Sequence, residues 1–418
     1  MRRLLLPFLF ASAGTVAAQD LPLDTVIALA LRHERYSDSR TLVQQIGSEV
    51  DKETRSAWQP QATIQAQSTV QNEQIAFPAV LPGFEPPSVP LDFHRVLLNF
   101  SQTVYDGSTT RARRELERLG TEGDVVDIEG RELELRGRVT TLYMAVLLNE
   151  AQAQLIDLRQ RTIQEQGDRM DSAVAAGAAL ASESAALEAE WITAGQEAVK
   201  VGHDIADLRA RLGTLTADPR LATADLLPPT DTLLADASLV QRPDIRALDL
   251  RMQALDAQDD LATAVRMPTL HVFGNAGIGD PGYNYFKDEW RPMLLVGASL
   301  QWRLYDGGTR KRKGRVNQLQ RSLLQQDKER LTERWQMELA DQRRDLLQYR
   351  ELIATDDRLV QLREEVSAVK AEQLAQGTIT ASEYITELNK EHAARLGREV
   401  HRLQSLLAIH TCNNILGK

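Results

Sequence analysis

Several landmarks in the chain recur at one offset. Tyr105-Asp106-Gly107 returns as Tyr305-Asp306-Gly307, Gly177 as Gly377 and Glu183 as Glu383, each 200 residues later. Basic residues follow both tripeptides, Arg111-Ala112-Arg113-Arg114 and Arg310-Lys311-Arg312-Lys313. Trp58-Gln59-Pro60 has a looser counterpart in Arg266-Met267-Pro268, and Leu212-Gly213 in Leu416-Gly417. A shared offset predicts two homologous halves, 19–220 and 239–418. They are joined by a linker over 221–238 that contains Leu227-Pro228-Pro229-Thr230.

Proline placement divides each half. No proline lies between Pro90 and Pro219, and none follows Pro292. These stretches are rich in Ala, Leu, Gln, Glu and Arg, the composition of long helices. From Gly107 to Gly177, and again from Gly307 to Gly377, a helix can run for up to about 70 residues, or roughly 105 Å. Such a helix is unstable alone and needs partners along its length. Leu142, Ala145, Val146 and Ala153 recur at helical spacing in one, and Leu352, Leu359, Leu362 and Val366 in the other. Gly177 and Gly377 mark helix ends, and the chain returns through 183–213 and 383–416. The expectation is two antiparallel, coiled-coil-like hairpins.

The remaining segments alternate with period two, which is the strand period. Strands are expected over 60–77, 93–106, 268–279 and 291–306, a hairpin in each half after an opening helix. In the last of them Leu294, Val296, Ala298, Leu300, Trp302 and Leu304 oppose Gly297, Ser299, Gln301 and Arg303. Each strand has about ten residues with one apolar and one polar face, which suits a tilted membrane crossing with lipid on one side and water on the other. Packing on helices as a half-buried sheet would give the same alternation. Proline-rich and aromatic loops, 77–92 and 279–291, favour the membrane. Four strands cannot close a transmembrane barrel, and an open edge is not tolerated in lipid. Several chains must then share one barrel; two, three or four would serve.

The N-terminus agrees with this compartment. Arg2 and Arg3, the apolar run from Leu4 to Phe10, and Val16-Ala17-Ala18 before Gln19 have the layout of a signal peptide over 1–18. The single cysteine, Cys412, excludes an intrachain disulfide. With 49 Lys and Arg against 59 Asp and Glu, net charge is −10, a poor balance for binding nucleic acid. No run of 18 apolar residues follows the signal, so any membrane insertion must use strands. Enzyme signatures are missing: the seven histidines show no H-E-x-x-H spacing, and no G-x-S-x-G or phosphate-loop pattern occurs. No catalytic residue, metal or cofactor is expected.

Across nearly the whole mature length the chain resembles the TolC-like outer membrane efflux protein family. The carrying residues are Leu23-Asp24-Thr25-Val26-Ile27-Ala28-Leu29-Ala30 in the opening helix and Arg242-Pro243-Asp244-Ile245 at the second half. To these are added Leu300-Gln301-Trp302-Arg303-Leu304-Tyr305-Asp306-Gly307-Gly308, its weaker copy Ser101-Gln102-Thr103-Val104-Tyr105-Asp106-Gly107, and Gly377-Thr378-Ile379-Thr380. Each motif is weak alone; their order, duplication and spacing are strong together. The resemblance implies a mainly α chain with a transmembrane β portion. Three copies would share a 12-stranded barrel in outer-membrane lipid above a periplasmic α-barrel. It implies a homotrimeric exit duct reached through a periplasmic adaptor from an inner-membrane pump or a type I secretion system. A periplasmic coiled-coil scaffold without a pore is the competing reading.

The resemblance also assigns residues. Glu183 and Glu383 match acidic positions that narrow the tunnel at its periplasmic tip and attract cations. Thr386 stands where a second acidic residue occurs, with Glu387 one position away. Ordinary solvated helix-surface glutamates remain the plain alternative. The turns with Gly177 and Leu180, and with Gly377, Thr378 and Thr380, are the expected adaptor-docking tips. Tyr105, Asp106, Gly107 and Tyr305, Asp306, Gly307 are expected at strand-to-helix junctions in a structural role: an interfacial aromatic, an acid at a helix N-terminus and a glycine for the bend.

Overall fold

The computed structural model describes residues 20–73, 89–230, 232 and 239–418. The expected signal peptide, most of the 77–92 loop and part of the linker lie outside these residues. The elements are α1 (Leu23–His33), α2 (Tyr36–Ser56), β1 (Gln61–Val70), β2 (Asp92–Tyr105), α3 (Thr109–Ala175) and α4 (Ala181–Thr216). They continue as α5 (Pro243–Ala264), β3 (Thr269–Asp280), β4 (Arg291–Gln301), α6 (Thr309–Ala375) and α7 (Ala381–Ile415). Helices α3 and α6 each have 67 residues and begin and end 200 residues apart.

Three boundaries differ from expectation. β1 ends at Val70 rather than 77. β4 ends at Gln301 rather than 306, because the pairing with β3 begins at Thr269 and leaves Trp302 to Tyr305 without a partner. The opening helix of the first half is two helices, since Arg35 takes a φ of 53° and breaks the helical path.

The long helices end as their glycines direct. Gly177 and Gly377 have φ of 74° and 68°, where only glycine pays no Cβ penalty. Ala178 and Thr378 donate back to the carbonyls of Ala173 and Gln373, and Gly177 and Gly377 to those of Val174 and Leu374. This is the Schellman arrangement, which satisfies carbonyls a helix end leaves free.

The residues gather into two compact units, each drawing on both halves of the sequence. One comprises the chain up to Ser39, Ile128–Ile245 and Arg330–Lys418. Its main core sets Leu23, Val26 and Ala30 of α1 against Val139, Tyr143 and Val146 of α3, Leu212 of α4 and Leu403 of α7. Tyr143 is fully buried, and its hydroxyl lies 2.7 Å from the carbonyl oxygens of Leu21 and Leu227. Burial pushes the phenol up to about 12.

The same unit explains Arg242-Pro243-Asp244. The buried guanidinium of Arg242 donates to the carbonyls of Ile415 at 2.5 Å and Asn414 at 3.2 Å, at the end of α7. It also stacks 3.6 Å from the centroid of Trp335, whose indole N–H donates to Asp244. A planar cation thus caps a helix C-terminus, binds a carboxylate and covers an aromatic face at once.

The other unit comprises Arg40–Asp127 and Arg246–Glu329 and holds the sheet. All four strands are antiparallel in the order β1-β2-β3-β4. The two hairpins join where β2 meets β3. Leu119 and Val126 of α3 pack on Ala247, Leu250 and Ala257 of α5 in the helical part of this unit.

Candidate membrane interface and helical tips

Register turns the alternation of each strand into a property of the whole sheet. Ile64 faces Leu98, Leu98 faces Ala276, and Ala276 faces Leu294. The next rows run Ala62-Phe100-Gly274-Val296 and Ala66-Val96-Ile278-Pro292. Paired residues share a face, so the apolar positions form one continuous surface. The rows between them are mostly polar, such as Thr63-Asn99-Asn275-Leu295 and Gln61-Ser101-Phe273-Gly297. Side chains on this face bond across strands, Asn99 to Gln65 and Thr103 to His271.

The apolar surface is uncovered. Ile64, Leu294, Val296 and Leu300 are 77%, 74%, 73% and 69% exposed. A half-buried sheet packed on its own helices would hide these side chains, and no described element of the chain does so. An apolar patch of this kind marks contact with a membrane or another protein. Among the described residues the first and last strands also present unpaired edges, which an isolated sheet seldom leaves open.

Below the sheet both junctions use their aspartate alike. Asp106 accepts from the N–H groups of Ser108 and Thr110, at 2.9 and 2.6 Å. Asp306 accepts from those of Gly308 and Arg310, at 2.9 and 3.1 Å. Each carboxylate thereby satisfies N–H groups that open a 67-residue helix. The Arg310 N–H is the main influence holding the Asp306 carboxyl below its ordinary value. Gly107 has φ 67° and sits so close to Met267 and the carbonyl of Ala264 that a Cβ would collide with both. Gly307 has φ 63° in open space. Tyr105 and Tyr305 are exposed.

In the helical unit the two turns come together over one cluster. Ile163 and Met170 of α3, Leu187 of α4, Leu374 of α6 and Tyr384 and Leu388 of α7 are buried against one another. Glu183 and Glu383 do not act alike there. The Glu183 carboxylate accepts from the Ala381 N–H, capping α7 from the other hairpin. Glu383 is exposed, and its backbone N–H donates to Thr380 Oγ1 at 3.2 Å. Thr380 is the N-cap of α7, whereas Leu180 in the equivalent place has no side chain able to cap α4. Thr378 Oγ1 donates to the Gln373 carbonyl, and Thr386 Oγ1 to that of Ser382. Glu387 is half-buried, and its carboxyl is held low chiefly by the hydrogen bond from Lys390 and also by Arg363.

Sequence reasoning missed a polar network above the tips. Arg159, nearly buried, binds Glu190 and Glu197, and Asn389 also donates to Glu190. Charges on long helices carry no mark of burial in sequence, because the partners come from three helices.

Comparison with known proteins agrees with this architecture. Residues 234–386 match the outer membrane efflux protein family. The chain matches that family over a little more than a third of its length. No curated protein sequence matches it. The fold of the chain is similar to that of solved outer-membrane channels. The outer membrane protein VceC of Vibrio cholerae superposes with a TM-score of 0.72 at 14% identity, over 94% of this chain and 96% of that one. The Neisseria gonorrhoeae MtrE channel, solved in its open state, gives 0.71 at 18% identity over 94% and 88%. Campylobacter jejuni CmeC, another outer membrane channel, gives 0.72 at 13% over 94% and 85%. Among the described residues no helix is long and apolar enough to cross a membrane.

Proposed function

We propose that the chain is one subunit of a homotrimeric outer-membrane exit duct. Three copies of the sheet would pair edge to edge into a 12-stranded barrel, with the apolar face toward lipid. The helical hairpins would line a periplasmic tunnel. The two sequence halves, 19–220 and 239–418, would be repeats of one ancestral unit behind a signal peptide over 1–18, joined by the 221–238 linker. The duct would meet a periplasmic adaptor at the turns around Gly177, Leu180, Gly377, Thr378 and Thr380. Through the adaptor it would serve an inner-membrane efflux pump or a type I secretion system. Glu383, exposed at the start of α7, would supply the cation-attracting carboxylate of the tunnel tip. Glu183 is committed to the Ala381 N–H, and Thr386 contributes no charge.

The observation that carries this reading is the uncovered apolar face on a sheet with two open edges. A periplasmic scaffold without a pore leaves both unexplained, since each is costly in water. The test is the absolute mass of the full-length protein by light scattering after size exclusion. Extraction only by detergent, with a protein mass of three chains, supports the duct. A soluble monomer that needs no detergent overturns it.

A further inference from the structure

The polar face of the sheet is uneven in charge. No strand residue on it is acidic, and its two full charges are Arg95 on β2 and Arg291 on β4. Register puts both in one row: Gln67 opposite Arg95, Arg95 opposite Gly279, and Gly279 opposite Arg291. Gly279 keeps that row open, because a Cβ there would meet Met293 Sδ at 2.6 Å and Arg95 Cβ at 3.4 Å.

The two arginines differ in how they are held. Arg95 donates through Nε, at 2.9 Å, and through Nη2 to the amide oxygen of Gln67. An amide oxygen directs the guanidinium but does not cancel its charge, and Arg95 has no ion pair among the described residues. Arg291 pairs with Glu289, just before the strand. Of the nearby acids, Asp92 and Asp280 belong to the opposite face, where Asp92 lies 3.0 Å from His94, and Glu73 lines the same pocket as Arg95 without forming an ion pair with it. Among the described residues the row therefore holds one guanidinium per chain, that of Arg95, without an ion pair.

We infer that Arg95 forms a cationic ring inside the barrel, near the end of the sheet farther from the strand-to-helix junctions, and that the solutes it favours are anions. The inference rests on the duct reading, which places the polar face in the lumen and repeats the row three times. A ring of guanidiniums raises the local concentration of anions and lowers that of cations, as charged rings do in other pores. Its sign is opposite to that of a carboxylate ring at the tunnel tip.

The experiment is reversal potential in a KCl gradient across planar bilayers holding the full-length protein, at about 0.1 M mean salt. Three unit charges about 10 Å from a wet pore axis, with a Debye length of about 10 Å, change the local anion-to-cation ratio about fivefold. Arg95→Gln is expected to lower the chloride-to-potassium permeability ratio by about that factor, and Arg95→Glu by its square, about 25-fold. Glu289→Gln frees Arg291 and is expected to raise the ratio, giving a variant of opposite sign should charge reversal impair assembly. All three effects should shrink in 1 M salt, where the Debye length is about 3 Å. Equal permeability ratios in wild type, Arg95→Gln and Glu289→Gln would overturn the ring and leave the duct standing. A wild-type protein that conducts no ions would overturn the duct and the ring with it.

Discussion

Val296 offers the sharpest test of which face of the sheet meets lipid. It is the central residue of β4, paired with Gly274 in the row that continues through Phe100 and Ala62. At 73% exposed it has little intrachain packing to lose when replaced. An effect of Val296→Arg must therefore come from what surrounds the sheet. In water the substitution should be nearly neutral, within about 0.5 kcal/mol. At a bilayer midplane an outward-facing arginine costs about 2–4 kcal/mol per chain. At 1.4 kcal/mol per factor of ten that is roughly 30- to 700-fold in the insertion equilibrium of each chain. Three copies would compound it. Ser299→Arg supplies the control, being on the same strand, exposed, and on the polar face opposite His271. The assay is the fraction of each variant recovered as a detergent-extractable oligomer resistant to carbonate washing. Val296→Arg should be strongly depleted and Ser299→Arg close to wild type. The reverse ranking would mean that the faces are inverted. Equal, undiminished recovery of both would remove the membrane from the argument.

Four further outcomes are expected. Tyr143→Phe leaves the carbonyls of Leu21 and Leu227 without their hydroxyl and should cost about 1–2 kcal/mol, seen as a lower thermal midpoint in detergent. Arg242→Ala removes a buried guanidinium from two carbonyls, Asp244 and the Trp335 face at once. It should cost about 3 kcal/mol or more, with Arg242→Lys recovering only part because it lacks the planar fork. The Asp306 carboxyl sits below its ordinary value of 3.8 in the folded chain, so its contribution is present above that value and is lost as pH falls through the folded one. Acid titration of Asp306→Asn should show a shallower loss of stability below about pH 4 than wild type. Under the duct reading, Glu383→Ala should weaken cation preference and divalent-cation block in bilayer recordings; unchanged selectivity would remove the tip ring without touching the duct.

Much of the architecture was legible because it is local chemistry. Two proline-free runs of helix formers become two 67-residue helices, and Gly177 and Gly377 stop them because only glycine adopts positive φ without strain. Asp106 and Asp306 cap the helices beside them using main-chain groups two and four residues away. Period-two alternation assigns each strand residue a face whatever its neighbour is.

Only the tertiary structure decided matters that depend on a partner distant in sequence. Alternation gave four two-sided strands, but the pairing of β2 with β3 set their order and aligned their faces into one apolar surface. The absence of a partner ended β4 at Gln301, although Trp302 and Leu304 continue the pattern. Glu183 and Glu383 occupy equivalent places in the repeat, yet only Glu183 reaches the N-terminus of α7 in the other hairpin. Arg242 read as a short motif until the end of α7, some 170 residues on, supplied its carbonyls. Arg95 became half of a charged row only when Gly279 and Arg291 were set beside it. Turns, caps and periodicity are settled within a few residues of chain, whereas register, burial and charge pairing exist only once distant segments meet.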